Sequence, residues 1–97
     1  MNLAFDTEPG TCFLCGRRGQ TELHHIFNQT AYRRKSTEDG LMVFLCYDCH
    51  HNRVHGKDAE AKYYLKRIGQ RKWMDTHKGG TQAFVDRYGK NYIEEWE

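Results

Sequence analysis

Two C-x2-C pairs, Cys12 with Cys15 and Cys46 with Cys49, constrain this chain more than any other feature. Four thiolates suit a closed, tetrahedral structural zinc site. The 30 residues between Cys15 and Cys46 exceed the usual spacing of such sites. That segment therefore reads as an inserted hairpin, closed at its base by the metal. The rest of the chain leaves room for such a staple. Only 38% of its 97 residues are hydrophobic and the mean hydropathy is −0.92. Small domains with thin cores lean on disulfides, metals or partners. Two disulfides or a redox-active dithiol are the alternative use of the cysteines, disfavoured by the lack of a βαβ pattern.

The opening MNLAFDTEPG has no basic segment followed by an apolar one, so it does not read as a signal peptide. No run approaches the roughly 18 apolar residues of a membrane span. A cytoplasmic setting with no membrane partner is expected, where paired cysteines read as metal ligands. Net charge is only +2, but it is unevenly spread. Residues 10–78 carry 13 basic and 7 acidic side chains, a balance of +6, while each end carries −2. A polyanion suits such a centre. A solvated basic face is the plainer reading of the same charges.

The chain reads as one small α+β domain over 1–97. Residues 1–10 form a loose arm, 11–57 a zinc knuckle with a compact core, and 58–97 a helical extension. CFLCGRR is a knuckle turn, with Gly16 supplying the tight backbone. TELHHIF and LMVFLC have strand composition, and NQTAYRRKSTEDG between them reads as a loop. YDCHHNRVH fits a short helix stopped by Gly56. Asp58 can cap a helix running to about residue 75. In that helix Ala61, Tyr64, Leu65 and Ile68 point inward, and Lys62, Lys66, Arg67 and Arg71 lie away from the stripe. After the Gly79-Gly80 break, Thr81 can cap a last helix with Phe84, Val85 and Tyr88 inward, ended by Gly89. Tyr92, Ile93 and Trp96 are expected to pack back on the core.

With the cysteines assigned, five clustered histidines are left. His51 and His55 are four apart, which places them on one face of an α-helix, able to grip one ion together. His50 points about 100° away from His51 and is the weaker candidate. His24 and His25 are strand neighbours on opposite faces, so one can bind a metal while the other does something else. Three imidazoles on one divalent ion leave positions open for water and substrate, which marks a catalytic site. A spare histidine titrates near 6.5 and suits general-base work. Metal, base and basic surface together suggest phosphodiester hydrolysis. An all-structural role for the histidines is the competing reading.

The pattern C-x2-C, LHHI, LCYDCHHNRVH resembles the HNH endonucleases of the ββα-metal fold. More narrowly it is similar to the small zinc-knuckle HNH proteins of bacteriophages and prophages. The HNH core accounts for residues 12–57, and YLKRIGQRKW and RYGKNYI also look like the tails of those proteins. The resemblance implies that His24 is a metal ligand and that His25 is the general base. It implies that His51 and His55 are the H-x3-H ligands found in colicin-type nuclease toxins. Many HNH sequences place a ligand directly after the last cysteine, which keeps His50 in view. The middle asparagine of the family falls at Met42 counted from His51, or at Leu41 counted from His50. Asp39 is the candidate brace for the connecting loop in its place.

The implied activity is DNA hydrolysis with low sequence specificity, using structural zinc at the cysteines and one catalytic Mg, Mn, Ni or Zn ion. Arg17, Arg18, Arg33, Arg34, Lys35, Arg53 and Lys57 are candidate phosphate contacts, with YRRK the strongest cluster. The expected partners are duplex, branched or single-stranded DNA and phage recombination, replication or packaging proteins. The rivals are a non-catalytic zinc-dependent nucleic-acid-binding module and an interaction protein docked on a phage complex.

Overall fold

A computed structural model of the protein describes residues 3–93. Strand β1, Thr21–His25, pairs antiparallel with β2, Met42–Cys46, in the register Thr21↔Cys46 to His25↔Met42. The expected hairpin is therefore formed, and its base abuts the second cysteine pair. The connection is not a plain loop. Arg33–Glu38 form a short helix, α1, braced from within. The Ser36 hydroxyl donates to Leu41 O at 2.6 Å and accepts from Phe27 N at 3.4 Å, so one fully buried side chain ties the exit of β1 to the entry of β2. Polar composition concealed this helix because its six residues bury only that serine.

Next comes a π-helix, Asp48–Lys57, interrupted by non-helical backbone at Gly56. Helix α2, Ala59–Thr76, starts as expected, with the Asp58 carboxylate accepting from Ala61 N at 3.1 Å. Its inward face is Ala61, Leu65, Lys66, Gly69, Gln70 and Trp73. Two expectations are corrected here. Tyr64 is 45% exposed, and Lys66 is only 3% exposed. The stripe is rotated because α2 crosses the residues just after β1, where a Cβ on Gly69 would meet Ile26 and Phe27 side-chain atoms at 3.1 Å.

Helix α3, Gly80–Tyr88, follows a left-handed Gly79 and ends at a left-handed Gly89. Its N-cap is Gly79, not the expected Thr81, with no side-chain cap. Phe84 and Tyr88 close the core against Phe27 and Trp73, while Val85 is only partly buried. Tyr92 packs on Phe27 as expected, and Gln70 accepts its backbone N–H at 2.7 Å. Trp96 lies outside the described residues. The N-terminal arm is tied down: Ala4 N donates to Gly40 O, and Thr7 Oγ1 accepts from Phe44 N. Among the described residues no helix is long and apolar enough to cross a membrane.

Candidate metal centres

The four cysteines are free thiols whose sulfurs all lie within 4.8 Å of one another. Cys15 Sγ and Cys46 Sγ are 3.8 Å apart. A tetrahedron with metal–sulfur bonds of about 2.3 Å has sulfur–sulfur edges of about 3.8 Å, so the group fits a structural metal such as zinc. Cys12, Cys46 and Cys49 are buried and Cys15 is exposed. Burial pushes the Cys49 thiol up to about 12. Burial also acts to raise Cys12, but backbone N–H groups and the neighbouring thiol outweigh it and bring Cys12 down to about 6. Four sulfurs this close are well placed to share one cation.

A second group joins His24, His50 and His55, again with ligand atoms within 4.8 Å. His24 comes from β1, on the strand face that also carries Glu22. Its ring centroid lies 5.1 Å from that of His50 and 5.0 Å from that of His55. The histidine pair from the helix is thus His50 with His55, not the expected His51 with His55. The cause is the helix type. The i→i+5 hydrogen bonds of a π-helix widen the turn and bring His50 round toward the face of His55, with the two ring centroids 4.8 Å apart. His51 turns away against Tyr47, with centroids 4.4 Å apart.

Glu22 links the two adjacent helix histidines. One carboxylate oxygen, Oε1, accepts from His50 Nδ1 at 2.8 Å and from His51 Nε2 at 2.7 Å. These contacts hold the Glu22 carboxyl below the usual carboxylate range, the His50 hydrogen bond first among them. The bond commits Nδ1 of His50 as donor and leaves Nε2 with its lone pair. Glu22, His50 and His51 also form a third potential cation group. Short hydrogen bonds account for that group without an ion.

Burial favours the neutral form of two of the three imidazoles. Burial, then the neighbouring His50, His55, Lys66 and His25, lower His24 to about 3. His55 is lowered chiefly by burial as well. Neutral rings are the ligand form of histidine. His55 Nδ1 also meets the Asn28 amide at 3.4 Å.

His25 faces the other way, as strand alternation predicts. Its Nε2 lies 2.9 Å from Thr37 Oγ1, and that hydroxyl also donates to Arg33 O at 3.2 Å. A hydroxyl has one proton. With it directed at Arg33 O, Thr37 accepts from His25 Nε2–H, and the free lone pair of His25 sits on Nδ1. Burial and the nearby Arg33 lower the His25 pKa.

Leu41 and Met42, at the position of the absent asparagine, are buried core residues. Asp39 does brace the loop, but from outside: it accepts from Arg87 Nε at 2.7 Å and from Tyr88 Oη at 2.5 Å. Among the basic residues, Arg17, Arg18, Arg33 and Lys57 are exposed. Arg34 pairs loosely with Glu38 at 3.4 Å. Lys35 donates to Arg87 O, and Arg53 is engaged by Asp58 and Cys49 Sγ.

Glu22, Thr37 and Asn28 do not stand out in the sequence, and the helical pattern places Lys66 on the wrong face. Only Glu22 carried a signal, standing two residues before His24 on the same strand face. The chain matches no family model, no curated protein and no solved structure.

Proposed function

We propose that the protein is a metal-dependent endonuclease of the HNH type, hydrolysing DNA phosphodiester bonds with little sequence specificity. One observation carries the reading. Three imidazoles gather without a fourth Cys, Asp, Glu or His among the described residues, next in sequence to a histidine held by a threonine hydroxyl. Three protein ligands with open positions are what a hydrolytic metal needs. An ion with bonds of about 2.1 Å holds tetrahedral ligands about 3.4 Å apart, and the three ring nitrogens, within 4.8 Å of one another, need only close slightly to seat it. The order strand, connection, strand, helix supports the ββα-metal resemblance, with the four cysteines as a zinc staple at the hairpin base.

His24, His50 and His55 hold the ion in this reading. When bound, it stabilises charge on the phosphoryl oxygens and the leaving oxygen. His25 Nδ1 takes the proton of the attacking water, and Thr37 holds the ring. Attack in line with the 3′ oxygen leaves 5′-phosphate and 3′-hydroxyl ends. Glu22 orients His50, and Asn28, with its amide oxygen toward Nδ1, does the same for His55. Arg17, Arg18, Arg33 and Lys57 are the freest phosphate contacts, with Arg34 next. The sequence carries no base-reading motif, which fits low specificity.

The test is supercoiled plasmid nicking, with EDTA and then with added Mg, Mn, Ni or Zn, beside His25→Ala. Metal-dependent nicking that disappears in a folded His25→Ala is expected. Retained DNA binding with no nicking under any metal would instead favour the non-catalytic binding module, a role compatible with the apolar Leu41 and Met42.

A further inference from the structure

Beside the imidazole group lies a cleft of about 110 Å³, lined by His24, Asn28, His55, Lys62 and Lys66 with Ile26 and Val54 as its apolar floor. That is several times the roughly 10–15 Å³ one water needs. No acidic residue lines it. Lys66 is 3% exposed, and no carboxylate pairs with it among the described residues. Its ammonium donates one hydrogen bond, to Ile26 O at 3.1 Å, and lies over the Phe27 and Tyr92 rings at 5.3 and 5.5 Å from their centroids. An ammonium has three donors, so capacity remains.

Burying a cation without an anion is costly. A lysine used only for packing would be replaced at less cost by methionine or leucine. Here the buried cation opens onto a cleft that also holds Lys62 at its rim, the Asn28 amide and two imidazoles.

We propose that this cleft is a phosphate-binding subsite in which Lys66, assisted by Lys62 and the Asn28 amide, holds a non-bridging phosphate oxygen next to the imidazole group. The assignment of that phosphate to a DNA backbone rests on the nuclease reading. The anion site itself does not. Lys66 would be a catalytic residue supplied by α2, outside the core that the family resemblance covers.

Inorganic phosphate is the probe. It is titrated into ¹⁵N-labelled protein after a brief EDTA treatment that empties the histidine group but leaves the cysteine metal in place, with chloride matching ionic strength. Saturable shifts at the Asn28 and Gly56 amides are expected, with apparent affinity about tenfold weaker in Lys66→Met and about threefold weaker in Lys62→Gln. Absence of shifts at those amides, or equal affinity in folded Lys66→Met, overturns the subsite. If Lys66→Met does not fold, the wild-type shift map and Lys62→Gln decide by the same criteria. The nicking assay runs separately. Lys66-dependent phosphate binding without nicking upholds the subsite and sinks the nuclease reading. Nicking without phosphate binding does the reverse.

Discussion

Thr37 Oγ1 stands 2.9 Å from His25 Nε2, joining the connecting helix to the second histidine of the strand pair. The contact fixes which ring nitrogen is basic. Thr37→Val removes the acceptor while keeping the shape of an exposed position. It should slow plasmid nicking by about tenfold, with metal content and melting temperature near wild type. An unchanged rate would mean that His25 needs no such support.

The helix type predicts opposite outcomes for neighbouring histidines. His50→Ala should abolish the second, exchangeable divalent site, measured by calorimetry with Mn or Zn after the cysteine site is filled. His51→Ala should keep it within a few-fold. The reverse pattern would indicate ordinary α-helical spacing in solution. Glu22→Gln keeps an acceptor but loses its charge, and should weaken the site by about 10- to 100-fold.

Acid should weaken the fold through His24. Unfolded, it takes up a proton as pH falls through about 6.5; folded, it resists protonation until about 3, chiefly because it is buried. Its depressed pKa therefore costs nothing above about pH 6.5 and costs progressively more below it. Urea unfolding at about pH 7 and about pH 5, compared with His24→Gln, should show the wild type losing up to about 1.4 kcal/mol more per pH unit. Parallel losses in the two proteins would show that His24 titrates freely in the fold.

The cysteine group should behave as a folding staple. Cys46→Ser is expected to lose tightly held zinc, measured by mass spectrometry of the native protein, and with it the cooperative melting transition. Retained folding at full helicity would show that the apolar core suffices.

Much of this architecture could be read from residue order. The two strands have strand composition and pair as alternation suggests, Asp58 caps α2, and Gly89 ends α3. The cysteine spacing called for one closed group, and the sulfurs converge. What escaped has two physical causes. A 3.6-residue period puts His51 on the face of His55, but the hydrogen bonds of this stretch run i→i+5, and His50 is the residue found beside His55 and His24. The helical stripe also leaves Lys66 on the outward face, although the crossing of α2 over Ile26 and Phe27 buries it. Tertiary placement, absent from any local pattern, made that difference.

The wide turn that carries His50 and His55 also bears on how far apart such a pair stands in sequence. A segment whose turns close at i→i+5 is one residue longer than an α-helix needs to present the same two side chains. Deleting Asn52, whose amide reaches only Asp48 within the same segment, would leave His50 and the former His55 four apart. An ordinary α-helix would then offer the same pair of imidazoles. The H-x4-H spacing here and an H-x3-H spacing on an α-helix thus differ by a single residue and can present the same pair of imidazoles.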